Sequence, residues 1–309
     1  MDGGSTDNSV EIIKKYEKWI AYWVSEPDTG QSNALNKGFR KTTGSITAWL
    51  NSDDLYEIES LKKVGNLFAA RNDVDIIYGD GMVIDEDGAF LEIGKSKFIN
   101  NHDDLGNFFP NRVFQPSLFF RKKMLDDIGF LDENLHYAMD VDFWIRAFSK
   151  HNYFYTKNSF SKFRLHKASK TTSSSLNFIL DELILISRYS GTQQLFNHYL
   201  ESYISGSSRS NNVPCELTYE KIIIELRKRG VTSQYINQTR EENNHTIAMS
   251  YLLNADYFYT VSSLSKSRKS LIHACRYLPL IMKKLRFWHL FLASLLPRII
   301  LKYLRNIHR

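Results

Sequence analysis

The chain has 309 residues, 43% hydrophobic and 24% charged, with a net charge of +6. That balance belongs to a folded globular chain of one large or two ordinary domains and excludes a disordered or fibrous one. Two cysteines, Cys215 and Cys275, exclude a disulfide scaffold and a multi-cysteine zinc site and point to a reducing compartment. No apolar stretch reaches the roughly 18 residues of a membrane-spanning helix. All 34 Asp and Glu lie at or before Asp256, whereas residues 257–309 hold 11 Lys or Arg. A basic tail on a mildly acidic body seeks phosphate, on an anionic membrane or on nucleic acid.

Asp2-Gly3-Gly4-Ser5-Thr6-Asp7 reads as a turn. Val10–Ile20 is a predicted helix, because Ile12, Tyr16 and Ile20 recur at i, i+4 spacing. The short apolar run Ala21–Ser25 reads as a strand, Gln31–Lys41 as a helix ending before Gly44, and Ile46–Leu50 as a buried strand. Glu57–Arg71 is a predicted helix and Val74–Tyr78 a third strand. Met82–Asp85 and Ala89–Ile93 flank Asp85-Glu86-Asp87-Gly88, the signature of a hairpin. This alternation argues for an α/β sheet, parallel in its first part. The Thr/Ser cluster Thr171–Ser175 marks a boundary, which divides the chain into residues 1–172 and a helical region, 173–309. Helices are expected over Leu176–Ser187, Thr192–Ile204, Tyr219–Lys228 and Thr246–Tyr259, with a polar linker over Ser205–Val213.

The strand Ile46–Leu50 runs directly into Asn51-Ser52-Asp53-Asp54. In open α/β sheets ligands bind beyond the C-terminal ends of strands. Two adjacent carboxylates there suit a hard divalent cation that keeps waters and takes further ligands from a substrate phosphate. The same residues also fit a helix cap, with Asp54 as N-cap and Glu57 as its partner.

Four segments in one order, Asp2-Gly-Gly-Ser-Thr-Asp7, Ser25-Glu-Pro-Asp-Thr-Gly-Gln31, Asn33-Ala-Leu-Asn-Lys-Gly38 and Trp49-Leu-Asn-Ser-Asp-Asp54, resemble the family 2 glycosyltransferases. Gln115-Pro-Ser-Leu-Phe-Phe-Arg121, Ile128-Gly-Phe-Leu-Asp132, Met139-Asp-Val-Asp-Phe-Trp-Ile-Arg146 and Phe163-Arg-Leu-His-Lys-Ala-Ser-Lys-Thr171 continue the match to about residue 171. The resemblance implies the GT-A, three-layer α/β fold of nucleotide-diphospho-sugar transferases, followed by an α-helical C-terminal region. It also implies transfer of a sugar, with inversion, from a nucleotide-diphosphate sugar donor, a UDP-sugar first among them, to a saccharide or lipid-linked acceptor. Relatives place a strand and a helix ahead of the Asp2 turn, so the resemblance implies a fold lacking its first strand. On that ground a catalytically impaired remnant, or a non-enzymatic membrane-associated accessory protein, is the alternative. A nucleotidyltransferase would carry a Gly-rich phosphate loop that this chain does not show.

Carried over residue by residue, Asp54 matches the position that binds Mn²⁺ or Mg²⁺, which stabilises charge on the departing diphosphate. Asp53 matches a ribose contact or an aid to the metal, and Asp2 an acidic residue near the nucleotide base. Asp2 fits a turn residue bonding its own backbone equally well. Asp140 matches the general base, although Met139 stands where relatives more often have Glu; the other reading is the N-cap of a helix Val141–Ser149, with Asp142 the next candidate base. His166 matches a histidine that reaches the metal or diphosphate, against a solvated surface group. Arg164 and Lys170 could pair phosphate oxygens or lie as solvated charges. Lys37 and Asn36 are weaker donor-site candidates, and Gln115 either bonds a sugar hydroxyl or stands at a strand entry set by Pro116. Phe143 and Trp144 read as core.

In the tail, the apolar Leu290–Leu296 is flanked by Lys283, Lys284, Arg286, Arg298, Lys302 and Arg305, with Trp288 and Tyr303 placed to sit among headgroups. The pattern suggests an interfacial helix on an anionic membrane, with a plain helical bundle as the other reading and nucleic acid set aside. The expected location is the cytoplasm or the inner face of the membrane.

Overall fold

Ile76, Ile77 and Tyr78 are fully buried, and the strand they open is the centre of the sheet. The computed structural model describes residues 1–97, 113–167, 169–170, 175–189, 219–231 and 264–277, with isolated positions between 196 and 291. Its strands are β1 (Ile46–Thr47), β2 (Leu55–Tyr56), β3 (Ile76–Ile84), β4 (Phe90–Gly94), β5 (Leu118–Arg121) and β6 (Tyr153–Arg164). Its helices are α1 (Ser9–Lys15), α2 (Gln31–Lys41), α3 (Ser60–Ala70), α4 (Met124–Ile128), α5 (Met139–Lys150), α6 (Ser175–Tyr189), α7 (Tyr219–Lys228) and α8 (Leu264–Tyr277). The packing divides into two units, Met1–Glu182 and Leu183–Arg309.

The sheet runs β1-β5-β3-β6-β2, and the β3–β4 hairpin forms where Asp85–Gly88 predicts it. β3 and β6 are parallel, whereas β5 is antiparallel to both β1 and β3. β1 and β3 therefore run in the same direction, as the strand–helix alternation implies. They are not neighbours, because β5 inserts between them.

Side chains alternate between the two faces of a strand. Ile77 and Phe119 pack with Val64 and Phe68 of α3 and with Phe160. The next residue along each strand points the other way. The Tyr78 ring meets Phe148 of α5 with centroids 5.3 Å apart, and Phe120 meets Phe39 of α2 and Phe143 of α5. The result is three layers, with α3 on one face of the sheet and α2 and α5 on the other. Trp49 and Trp144 stack within the second interface, with centroids 4.8 Å apart and planes 7° from parallel. Phe143 and Trp144 are thus core residues, as expected.

Several elements differ from the sequence-based expectation. The helix expected over Val10–Ile20 is cut to α1 and a single 3₁₀ turn, Glu17–Trp19, and α1 buries none of its residues. Ile12, Tyr16 and Ile20 all remain exposed, and the Tyr16 ring meets its near neighbours Trp19 and Lys15. Ala21–Ser25 contributes only one parallel bridge, Asp2 to Ser25. The helix expected from Glu57 starts at Ser60, because Leu55 and Tyr56 are drawn into a short ladder with β6. The twelve-residue β6 was not anticipated, although Tyr153-Phe154-Tyr155-Thr156 is rich in strand-forming side chains.

In the second unit α7 buries Ile222, Ile223 and Leu226 on one face. A separate cluster joins Ala248, Leu252 and Ala255 to Leu271 and Ala274 of α8 and to Phe287 and Leu290. Leu290, the first residue of the apolar run in the tail, is therefore a core residue, as in the bundle reading. Phe291, the next residue of that run, packs against the same cluster, whereas residues 292–296, residues 192–204 except Phe196, and the linker 205–213 lie outside the described residues. No helix among the described residues is long and apolar enough to cross a membrane.

Gly79 sits where the register of β3 against β6 shifts. A Cβ there would lie 2.4 Å from the Asn158 carbonyl oxygen and 2.7 Å from the Phe160 ring. The carbonyl belongs to the backbone of the neighbouring strand and cannot swing aside as a side chain does. Gly79→Ala is expected to lower stability by about 1–3 kcal/mol, read as a lower urea midpoint at unchanged slope. A midpoint equal to that of the wild type would show that the ladder yields at this point.

Candidate active site

The loop after β1 carries the paired carboxylates, and the fold treats them differently. Asp54 is 4% exposed. Its Oδ1 accepts the Arg164 backbone N–H at 2.9 Å, and its Oδ2 accepts Asn51 Nδ2 at 3.1 Å. Burial pushes its pKa up to about 6; the neighbouring Asp53 charge adds to this, and the two hydrogen bonds oppose it. No helix begins at Asp54: α3 starts at Ser60 behind Glu59, whose φ is 63°. The cap reading of Asp54 therefore falls. Asp53 is turned outward, with its Oδ2 at 3.0 Å from His166 Nε2.

Arg164, the last residue of β6, donates Nε to the Asp53 carbonyl and Nη1 to the carbonyls of Asp85 and Glu86 in the hairpin turn. Its guanidinium is thus committed to three backbone oxygens and ties the carboxylate loop to the hairpin. That is a different task from pairing phosphate.

Asp140 lies in the first turn of α5, where its Oδ1 accepts the Val141 N–H at 2.9 Å. The N-cap is Ala138, so Asp140 is inside the helix rather than capping it. Burial pushes the Asp140 carboxyl up, and Lys170 pulls it the other way. Asp142 is bound to Arg146, at 2.9 Å from Nε and 2.7 Å from Nη2, and the same guanidinium donates to the carbonyls of Ile128 and Phe130. Asp142 is therefore a structural ion pair.

The loop leading into α5 is fastened by a polar stripe on α2. Ser32 Oγ donates to the Leu135 carbonyl, Asn33 Nδ2 donates to Glu133, and Asn36 both donates to the Leu131 carbonyl and accepts the Leu131 N–H. Asn36 is thus a buried scaffold residue. Lys37 pairs with Glu26 at 2.7 Å and donates to the Pro27 carbonyl, which keeps it away from the carboxylate loop. Asp2 accepts the N–H groups of Gly4 and Ser5 and the hydroxyls of Ser5 and Ser25. These bonds, the one from the Ser25 hydroxyl foremost, hold its carboxyl well below the usual range. It serves the turn, as its residue type alone allows.

A cavity of about 1190 Å³ opens between these parts. One wall holds Asp53, His166 and Gln115, whose Nε2 donates to the Trp49 carbonyl at 3.1 Å. The other holds Asp140, His136 and Lys170. Gln115 lies in a single 3₁₀ turn with Pro116, immediately ahead of β5, and so occupies both a strand entry and the cavity wall.

The two walls are joined by a directed chain of hydrogen bonds. Lys170 Nζ donates to Gln31 Oε1 at 2.9 Å, Gln31 Nε2 to Asn51 Oδ1 at 2.8 Å, and Asn51 Nδ2 to Asp54 Oδ2 at 3.1 Å. An ammonium only donates and a carboxylate only accepts, so the ends fix the orientation of both amides between them. Neither Gln31 nor Asn51 carries an individual signal in the residues; both stand in the matched segments without a role of their own. Asp80 was also missed. It lies at the register shift of β3, 8% exposed, and accepts the Ser96 N–H and the Tyr155 hydroxyl.

Among the described residues no three His, Cys, Asp or Glu converge as a metal site. Asp53 Oδ2 and His166 Nε2 instead share a hydrogen bond at 3.0 Å at the cavity wall. A carboxylate and an imidazole are also donor types that a cation such as Mn²⁺ accepts, so these two residues are the ones that would hold it. Asp54 Oδ1 and Oδ2 already accept hydrogen bonds, and the residue lies beneath this pair rather than in the cavity wall.

A three-layer α/β sheet whose carboxylate loop beyond a strand end presents Asp53 to a large cavity, with Asp54 buried behind it, has the architecture of the nucleotide-diphospho-sugar transferase fold, GT-A. The solved structure of S. aureus TarS 1-349 in complex with UDP-GlcNAc is similar in fold, with a TM-score of 0.51 at 14% identity over 89% of this chain and 80% of that one. Residues 1–129 match the family described as Glycosyl transferase family 2. An uncharacterized glycosyltransferase of Rickettsia prowazekii is 28% identical over 57% of this chain and 57% of its own length. One of Methanocaldococcus jannaschii is 28% identical over 48% and 52% respectively. A PGL/p-HBAD biosynthesis glycosyltransferase of Mycobacterium bovis is 28% identical over 48% and 57%. The chain spans a little over half the length of these curated relatives.

The unfolded chain ionises Asp54 near its ordinary value of 3.8, and the folded chain near 6. The folded state therefore holds the extra proton, and this group's contribution to stability falls as pH rises between those values and stays lost above them. Asp54→Asn removes the effect. Its stability relative to the wild type is expected to rise by up to about 3 kcal/mol between pH 4 and 7, measured by urea unfolding with a chelator present. A difference independent of pH would contradict this.

Proposed function

We propose that this chain is an inverting, metal-assisted glycosyltransferase that moves a sugar from a nucleotide-diphosphate donor to an acceptor hydroxyl in glycoconjugate or polysaccharide synthesis. The observation that carries the reading is one cavity lined by both Asp140 and the Asp53–His166 pair. The match of residues 1–129 to the glycosyl transferase family 2 model supports a transferase. The UDP-GlcNAc in the S. aureus neighbour supports a UDP-sugar as the donor. The name of the M. bovis relative supports a glycoconjugate product.

In this reading Asp140 accepts the proton of the acceptor hydroxyl as that oxygen attacks the anomeric carbon. The bond from the anomeric carbon to the diphosphate oxygen breaks on the opposite face, and its electron pair leaves with the nucleotide. A divalent cation such as Mn²⁺ or Mg²⁺, held by Asp53 Oδ2 and His166 Nε2, would offset charge on that diphosphate. Asp54 supports the pair from beneath by fixing the loop. Lys170 places a positive charge beside Asp140 and favours its ionised form.

Two measurements test this reading. Titrations of UDP and GDP with and without Mn²⁺, by calorimetry, should show metal-dependent binding that weakens at least about tenfold in Asp53→Ala and in His166→Ala. Binding unaffected by both substitutions would overturn the cation assignment. With a nucleotide sugar that the wild type turns over, Asp140→Asn should lower kcat by about 10²–10⁴-fold at unchanged UDP affinity. Because burial raises the Asp140 pKa and the base must be ionised, wild-type kcat/KM should fall with decreasing pH at values above the ordinary 3.8, and this limb should be absent in the variant. Full activity in Asp140→Asn would sink the assignment.

A further inference from the structure

Asp181 lies on α6, in the part of the sequence expected to form a separate helical region, yet it packs within the first unit. It is fully buried. Its Oδ2 accepts three consecutive backbone N–H groups, from His136 at 2.9 Å, Tyr137 at 2.7 Å and Ala138 at 3.3 Å. α5 begins at the next residue, Met139, and its N-cap, Ala138, makes no side-chain hydrogen bond. The amides of His136 and Tyr137 lie in the turn ahead of the helix and that of Ala138 at its N-cap, so none has an intrahelical partner, and each needs an acceptor. Here the acceptor comes from a distant helix, and its charge also faces the positive end of the α5 dipole.

The segment held in this way belongs to the cavity. His136, Tyr137, Met139 and Asp140 all line it. The His136 carbonyl accepts Lys170 Nζ at 3.1 Å, and that amine begins the chain of hydrogen bonds to Asp54. One buried oxygen thus fixes the backbone immediately ahead of Asp140 and the carbonyl that locates Lys170.

We propose that Asp181 is a positioning residue for the transfer reaction: by anchoring His136–Ala138 it aims Asp140 into the cavity and places Lys170 beside it. The proposal rests on the reading of Asp140 as the base. A charged acceptor is central to it, because hydrogen bonds to an ionised group are roughly twice as strong as neutral ones.

The test uses the full chain as wild type, Asp181→Asn, Asp181→Ala and Asp140→Asn. Asp181→Asn keeps the shape and an acceptor oxygen but removes the charge. Hydrogen–deuterium exchange of the peptide spanning 136–140 should accelerate at least about tenfold in Asp181→Ala, and less in Asp181→Asn, while both variants still unfold cooperatively. UDP affinity with Mn²⁺ should stay within about twofold, and kcat with a turned-over nucleotide sugar should fall about 10²-fold in Asp181→Ala, the scale of a small misplacement of a reacting group. Three results overturn the proposal: unchanged exchange over 136–140, unchanged kcat in both variants, or a loss of UDP affinity equal to the loss of kcat, which marks a general structural defect. If Asp181→Ala does not fold, the same readouts on Asp181→Asn decide. If Asp140→Asn transfers at the wild-type rate, the base assignment fails, and exchange and kcat in the Asp181 variants still show whether the anchor matters to transfer.

Discussion

A carboxylate taken almost wholly out of water constrains much of this site. Asp54 is buried at the junction of the β1 loop, β2 and the end of β6, and a charge in that position is costly unless it is hydrogen-bonded. Its two oxygens accept from Arg164 and Asn51, and each partner leads onward. Through the Arg164 side chain the loop is fastened to the hairpin, and through Asn51 it is fastened to Gln31 and Lys170 on the far side of the cavity. A mobile or solvated Asp54 would leave Asp53 and His166 without a fixed separation. The raised pKa of Asp54 is the thermodynamic trace of this arrangement: the site tolerates a destabilised group in order to hold its neighbours.

The second wall is organised on the same principle with different groups. α2 buries Ser32 and Asn36 where an ordinary amphipathic helix would bury apolar side chains, and these polar groups hold the backbone of residues 131–135. Hydrogen bonds fix direction as well as distance, whereas apolar contacts alone allow sliding. Asp142 and Arg146 pin α5 to the loop from its other side, and Asp181 supplies one acceptor oxygen at its start. The aromatic packing of Phe39, Trp49, Phe120, Phe143 and Trp144 beneath the cavity gives these polar clamps a rigid base.

Much of the scaffold was legible in the residues. Gln31–Lys41 and Tyr219–Lys228 form helices with the predicted bounds, and the turn Asp85–Gly88 makes the predicted hairpin. These rest on local causes: apolar periodicity, glycine at turns and side chains that bond their own backbone. The elements misjudged rest on distant partners. The helix expected from Glu57 starts only at Ser60, behind the Leu55–Tyr56 ladder with β6, and β5 separates β1 from β3 because it pairs with both.

The same division holds for the site. Residue type and order alone were enough to mark Asp53, Asp54, Asp140 and His166 as candidates and to indicate the family, because chemistry limits which side chains ionise or ligate. Only the tertiary structure decided which carboxylate faces the cavity and which lies beneath it, since Asp53 and Asp54 are adjacent and chemically identical and differ only in what surrounds them. It also ties Arg164, Lys37 and Asn36 to backbone and side-chain partners of the scaffold, and brings Gln31, Asn51 and Asp181 into hydrogen bonds with residues of the site. A hydrogen bond depends on distance and direction between groups far apart in the chain, and neither quantity is written in the sequence until the chain has folded.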